Sequence, residues 1–314
     1  MTEKETPKVS VCMITYNHEP YIAQAIEGVL MQETDFPYEL VIGEDCSTDN
    51  TRKICEDYAK RFPDKIRLLA GQRNFGIVPN FRRTFNACQG EFVALCEGDD
   101  YWISPLKIQR QKEFLDNNSK YSGTCSDVMV LDMNTGSLQR EQVCAELADS
   151  HDLCFDELLH RLIIYTPTLM LRRELIDLNL YKDHFLFCDL INHLLLLDKG
   201  PIRFERIDEV VYRLHRGGIT SRAKYREFYQ HIIEFLADFD AYTKYRHTNS
   251  IRDRTQYLNA LVRITDEDRN LVDRLIGVYP YFRYPYVSVS RSEIGNVLGL
   301  ISPKFVSALR KRLR

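Results

Sequence analysis

The sequence predicts an α/β fold followed by a C-terminal helical extension, and three observations predict it. Over the first hundred residues, short apolar runs alternate with segments whose apolar side chains recur at helical spacing. Each run empties into a polar loop, which in an open α/β sheet lies at the carboxyl edge where ligands bind. Near Ser221 the texture changes to aromatic and aliphatic residues at helical spacing, so the 314 residues divide into expected domains of 1–221 and 222–314.

Residues 9–14 read as the first strand, apolar and partly β-branched. Asn17 and Pro20 punctuate the loop that follows. Pro20 suits the first turn of a helix whose apolar stripe is Tyr21, Ile22, Ala25, Ile26, Val29 and Leu30. The unit repeats with a strand at 38–42, a polar loop at 43–50 holding cap-forming residues, a helix at 51–61 and a strand at 65–70. A loop at 71–80 carries Arg73, Asn74, Gly76 and Pro79 and leads to a helix over 81–88 and a fourth strand over 91–96. Ser104 and Pro105 form an N-cap and N1 pair for a helix reaching Leu115. Beyond it, 121–133 reads as a strand closed by a turn at 134–137, 155–164 as a short helix and 166–171 as a strand, while 181–187 is ambiguous. Asp189 opens an apolar helical stretch over 190–197, ended by Lys199 and Gly200, and 202–214 is strand-rich. In the extension, helical spacing marks 225–245, 257–264 and 271–278.

Composition narrows the function. The chain is 44% hydrophobic, enough for a sizeable core, and its net charge of -3 gives no electrostatic argument for nucleic acid. Nine cysteines, odd in number and without a C-x-x-C pair, fit reduced thiols better than a disulfide framework or a zinc site. Residues 1–7 are polar with no signal-peptide pattern, and no apolar run is long enough to span a bilayer. The expected location is cytoplasmic, soluble or peripheral. Residues 302–314 are basic with interspersed apolar side chains, a pattern suited to an anionic membrane surface and equally to a solvated helix. Neither G-x-G-x-x-G nor a Walker A loop follows the first strand.

The fourth strand stops at Glu97-Gly-Asp-Asp100. Carboxylates a few ångströms apart repel and raise one another's pKa. A hard divalent cation removes that repulsion, and oxygen ligands suit Mg²⁺ or Mn²⁺. Gly98 lets the backbone turn tightly against a ligand. The plain alternative is a solvated acidic turn.

Joined in order, Val9-Ser-Val-Cys-Met-Ile-Thr-Tyr-Asn17, Leu40-Val-Ile-Gly-Glu-Asp-Cys-Ser-Thr-Asp49, Asn74-Phe-Gly76 and Glu97-Gly-Asp-Asp-Tyr-Trp102 resemble the family 2 glycosyltransferases with the GT-A fold, a Rossmann-like mixed sheet. Val211-Tyr-Arg-Leu-His-Arg-Gly-Gly218 is similar to the end of the catalytic domain in bacterial members. The resemblance implies inverting transfer of a sugar from a nucleotide-sugar, most commonly UDP-linked, to an acceptor hydroxyl. The acceptor it implies is a glycan or lipid-linked glycan in surface polysaccharide or lipopolysaccharide synthesis. It also implies Mn²⁺ or Mg²⁺ across the diphosphate as a Lewis acid, with Glu97, Asp99, Asp100 and His215 as metal residues. Asp100 is expected to touch the metal most directly and Asp99 to face the ribose or metal, while the longer arm of Glu97 suits a water-mediated contact.

By the same resemblance Thr15, Tyr16, Asn17 and Glu19 line the nucleotide pocket, Tyr16 able to stack on a base and Asp45 to accept a hydrogen bond from it. Arg73, Asn80 and Arg83 are expected near sugar or phosphate. Asp189 is the expected general base, with Asp183 in reserve. Plainer readings stand beside these: packing for Tyr16, a helix cap or turn for Asp45 and Asp189, a structural role for His215. Glu44, Cys46, Glu97 and Cys188 depart from the usual residues, and Glu97 and Cys188 leave open a partner subunit that binds a nucleotide-sugar without transferring it. A nucleotidyltransferase would carry a glycine-rich basic loop where this chain has Thr15-Tyr-Asn-His-Glu19.

Overall fold

The computed structural model describes residues 5–141, 147–160, 164–215, 217 and 225–265. The chain divides into two compact units after Ser221. The first opens with β1 (Val9–Thr15), α1 (Ile22–Leu30), β2 (Tyr38–Glu44), α2 (Thr51–Arg61), β3 (Ile66–Ala70), α3 (Ile77–Ala87) and β4 (Phe92–Leu95). It continues through β5 (Tyr101–Trp102), α4 (Lys107–Asn117), β6 (Gly123–Asp132), β7 (Ser137–Arg140), β8 (Ser150–Leu153) and α5 (Phe155–His160). β9 (Met170–Arg172), α6 (Asp189–Lys199) and β10 (Ile202–Leu214) complete it.

All ten strands belong to one mixed sheet, ordered β3-β2-β1-β4-β9-β6-β10-β5, with β7 on β6 and β8 on β10. β3, β2, β1 and β4 run parallel; β9 runs against both β4 and β6. Helices cover the sheet, so β1 and β2 are apolar on both faces, as a buried parallel strand must be. Val9, Val11, Met13, Leu40, Val41 and Ile42 are fully buried. Each such side chain contributes about 1.5–3 kcal/mol of burial. The β1–β2 register sets Thr15 beside Glu44, so the loops that follow the two strands leave the sheet side by side.

Several boundaries differ from the sequence expectation, the helix expected over 257–264 among them, which begins at Thr248. α3 starts at Ile77 rather than residue 81, because Gly76, at φ 88°, starts the helix and Pro79 falls in its first turn, where a missing N–H is not needed. α4 starts at Lys107, with no side-chain cap, and not at Pro105. The backbone before it is held elsewhere: Pro105 O accepts Glu33 N and Ser104 O accepts Gln32 Nε2. Of the strand expected over 166–171, the half 166–168 is a 3₁₀ turn, fastened by Trp102 Nε1 donating to Pro167 O at 2.9 Å. β5, β7 and β8 have two to four residues each, too short for a period to show.

The second unit contains α7 (Tyr225–Tyr242) and α8 (Thr248–Thr265), packed through Ile232, Phe235, Leu236, Phe239, Ile251 and Leu258. Lys244 and Tyr245 turn the chain at φ 55° and 62°, and Thr248 Oγ1 donates to the Asp240 carboxylate at 3.0 Å. The helix expected at 271–278 and the basic end at 302–314 lie outside the described residues.

Candidate active site

Four loops leave the carboxyl ends of β1, β2, β3 and β4 together. The first two are laced to each other. Asn17 Oδ1 accepts Thr48 N at 2.8 Å, Glu19 accepts Asn50 N and Nδ2 at 3.0 and 2.6 Å, and His18 N donates to Thr51 Oγ1 at 2.8 Å. Asn17 and Cys46 take left-handed backbone conformations, φ 56° and 60°; Asn tolerates this and Cys does so rarely. Lacing fixes the loop so that Tyr16 stands out from it, 37% exposed. The side chains of Asn17 and Glu19 are thus engaged by the second loop, whereas Tyr16 presents its ring to solvent.

Asp45 is buried and accepts two backbone N–H groups from the third loop, Phe75 at 2.8 Å and Gly76 at 2.9 Å. Asn80 and Arg83, expected near sugar or phosphate, instead serve the backbone. Asn80 Nδ2 donates to Gly43 O, and Arg83 donates to Asn80 Oδ1, Leu69 O and Glu44 O. The ends of β2 and β3 leave carbonyls that need donors, and these two side chains supply them. Arg73 is exposed, its guanidinium 5.2 Å from the Phe75 ring centre.

The acidic turn after β4 sits at the centre. Gly98 packs against Thr15, whose Oγ1 would lie 2.6 Å from any Cβ at 98, so only glycine fits. Asp99 Oδ2 has two imidazoles upon it, His215 Nε2 at 3.1 Å and His18 Nε2 at 3.6 Å. Burial opposes its ionisation, but these histidines outweigh that and hold Asp99 below the ordinary carboxylate range. Gly217 N donates to His215 Nδ1 at 3.2 Å, which makes Nε2 the protonated nitrogen, a donor and not a lone pair. Asp100 is turned away: 2% exposed, its Oδ1 accepts the backbone N–H of Arg213 at 2.8 Å. Burial, then Asp99 and Glu97, push its pKa well up. The expectation that Asp100 makes the most direct metal contact therefore does not match this placement; Asp99 carries the carboxylate that faces the histidines.

Glu97 Oε2 is shut off from water and has no hydrogen-bond partner. Burial, then the charges of Asp99 and Asp189, raise its pKa to about 8. Asp189 begins α6, and its Oδ1 accepts Leu190 N at 2.7 Å. Asp183, the reserve base, lies exposed in an ion pair with Arg82 at 2.8 Å. The charges of Asp99 and Asp189 thus both reach the buried Glu97 carboxyl. An orphaned carboxylate oxygen beside a second carboxylate suits a hard divalent cation. Among the described residues no group of three His, Cys, Asp or Glu side chains is placed to hold a metal ion. A cation held by one or two carboxylates takes its other ligands from water and substrate phosphates, so the set fits.

Sequence reasoning passed over His18 and Arg213. His18 stood in the quoted Thr15-to-Glu19 segment, and Arg213 two residues before His215, but only the crossing of β10 past the turn brings them to Asp99 and Asp100.

The comparisons with known proteins decide the family. The Glycosyl transferase family 2 profile matches residues 10–178. The chain belongs to that family. It is 35% identical over 227 residues to the uncharacterized protein Rv1520 of Mycobacterium tuberculosis, 70% of this chain and 64% of that protein. It is 31% identical over 169 residues to the putative teichuronic acid biosynthesis glycosyltransferase TuaG of Bacillus subtilis, 54% of this chain and 63% of TuaG. The chain thus spans somewhat less than two-thirds of either relative's length. Among solved structures, TarS 1–349 of S. aureus in complex with UDP-GlcNAc superposes with a TM-score of 0.59 at 18% identity, covering 96% of this chain and 83% of that one. The mannosyltransferase PcManGT of Pyrobaculum calidifontis, in complex with GDP-Man and Mn2+, gives 0.56 at 15%, covering 98% and 87%. The fold of this family 2 chain is therefore GT-A. No helix among the described residues is long and apolar enough to cross a membrane.

Proposed function

We propose that the chain is an inverting, metal-dependent glycosyltransferase that moves a sugar from a nucleotide-sugar to an acceptor hydroxyl in bacterial surface polysaccharide or lipopolysaccharide synthesis. One observation carries the reading: Asp99, with two histidines upon it, and the orphaned Glu97 carboxylate lie at the carboxyl edge of the sheet, within electrostatic reach of Asp189. The printed names of TuaG and of the TarS complex support a surface-glycan acceptor and a UDP-linked donor. Residues 1–221 form the catalytic unit in this reading, and 222–314 a helical appendage.

Tyr16 stacks on the base, and the Asp45 carboxylate, fixed by two N–H groups, keeps lone pairs for a base N–H. Asp99 and Glu97 would hold the cation, Mn²⁺ or Mg²⁺, which would supply Lewis-acid stabilisation to the diphosphate leaving group. His215, which donates its Nε2–H to Asp99, and His18 keep that carboxylate ionised. Asp189 takes the proton of the acceptor hydroxyl as its oxygen bonds to the anomeric carbon and the bond from that carbon to the diphosphate oxygen breaks.

A thermal-shift screen of UDP- and GDP-sugars, with and without Mn²⁺, identifies the donor, since a ligand that binds the folded state raises its melting point. Turnover of that donor is expected to vanish with chelator and in Asp99→Ala. Turnover that survives both sinks the mechanism.

A further inference from the structure

The first turn and a half of α6 holds a group of buried polar atoms that the mechanism above leaves unused. Asn192 and His193 follow Asp189 by three and four residues, so all three project from one face of the helix. Asn192 and His193 are each 1% exposed. Neither ring nitrogen of His193 has a hydrogen-bond partner, and neither has Asn192 Nδ2. The amide's orientation is set, because Asn192 Oδ1 accepts a hydrogen bond from the buried Tyr181 hydroxyl. The unused donor of Asn192 is therefore its Nδ2.

Such atoms are costly. A buried polar group without a partner destabilises a fold, and native proteins rarely keep one without a use. Helical side chains lean toward the N-terminus, so the His193 imidazole inclines toward the turn that carries Asp189. Burial drives its pKa down to about 4, and the Asp189 carboxylate is the charge that opposes this. The ring is thus neutral, with one N–H to give. Asp189 has one oxygen bonded to Leu190 N, which leaves the other to be oriented.

We propose that His193 is a positioning residue for Asp189, holding the base carboxylate through one ordered water that it shares with Asn192. The water accepts from His193 N–H and Asn192 Nδ2–H and donates its own hydrogens, one of them to Asp189. Three polar partners are what a buried water ordinarily has. The effect is to fix the carboxylate against the acceptor hydroxyl and to keep Asp189 in one rotamer. This inference rests on the reading of Asp189 as the general base.

Three variants and two readouts test it. His193→Leu removes the ring and its N–H, and kcat for the donor found in the screen is expected to fall at least ten-fold with KM within two-fold. His193→Gln keeps an N–H and is expected to regain most of the kcat. A merely structural histidine leaves kcat intact whatever the melting point does, and that result overturns the proposal. Should His193→Leu fail to fold, ¹⁵N NMR of histidine-labelled protein decides without turnover. The His193 ring signals, assigned by their loss in His193→Gln, are expected to move in Asp189→Asn; unmoved signals overturn the proposal. Full activity in Asp189→Asn removes the base assignment, and this inference with it. Loss of activity in Asp189→Asn with unmoved His193 signals leaves the base in place and removes only His193.

Discussion

Asp100 Oδ1 accepts the backbone N–H of Arg213 at 2.8 Å, and Arg213 Nη1 donates to Asp99 O at 2.6 Å. The acidic turn after β4 is in this way clamped to the end of β10, two residues before His215. The two neighbouring acids therefore divide the work: Asp100 fixes the turn, and Asp99 faces outward to the histidines. Asp100→Ala is expected to lower stability by about 1–3 kcal/mol, since it strands a buried N–H. Asp99→Ala is expected to leave the melting point nearly unchanged and to abolish the extra thermal shift that Mn²⁺ gives a nucleotide diphosphate. Melting curves of both variants, with and without Mn²⁺ and UDP, check this; a reversed pattern would assign the roles the other way.

The parallel half of the sheet was legible because burial on both faces writes continuous apolar runs into β1, β2 and β4, and because α2 and α6 begin at polar residues that stop those runs. β5, β7 and β8 were not, since two to four residues carry no period, and the partners of β5 and β8 on β10 are distant in sequence. At the site, motif order marked Glu97, Asp99, Asp189 and His215, which the fold does bring to one region. It could not separate side chains that face a ligand from those that satisfy backbone, which is why Arg83 and Asn80 read as ligand contacts. That distinction depends on which strand-end carbonyls lack donors, a property of the assembled sheet. His18 escaped for a related reason: a lone histidine gains meaning only from the carboxylate opposite it.

Asp45 ties the loop after β3 to the loop after β2. Asp45→Ala strands the Phe75 amide, while Gly76 N keeps Asn74 Oδ1 at 3.0 Å, and is expected to cost about 1–3 kcal/mol. Asp45→Asn keeps one acceptor and is expected to cost less. Hydrogen exchange gives the direct check: the Phe75 amide should lose protection in Asp45→Ala before any global unfolding. Retained protection in that variant removes the tether.

Lys107 gives a stability effect away from the site. It is fully buried, its Nζ bonded to Gln111 Oε1 at 2.7 Å and 4.5 Å from the Trp102 ring centre. Burial lowers its pKa to about 7. Between about pH 7 and 10 the unfolded chain holds a proton at this position that the folded chain has lost, so this residue makes stability rise with pH there. Lys107→Met removes the titration. The stability difference between variant and wild type is expected to favour the variant below pH 7 and to shrink toward pH 10. Denaturant unfolding of both proteins at pH 6, 8 and 9.5 measures it, and a difference independent of pH contradicts it.

Glu97 supplies the last test, because its neighbours make its proton a reporter of the cation. Burial, then Asp99 and Asp189, raise its pKa to about 8, so near neutral pH the folded chain carries a proton here that the unfolded chain has released. Folded stability attributable to this group therefore falls as pH rises from about 4.5 through about 8. A divalent cation at Glu97 and Asp99 favours the ionised form and must displace that proton, so binding is expected to strengthen with pH up to about 8 and to level above it. Calorimetric titration of Mn²⁺ into the UDP-loaded protein, repeated in buffers of different ionisation enthalpy, counts the proton released. Glu97→Gln is expected to bind more weakly, to release no proton and to lose the pH dependence. A wild-type affinity flat from pH 6 to 9, with no proton released, would place the cation away from Glu97.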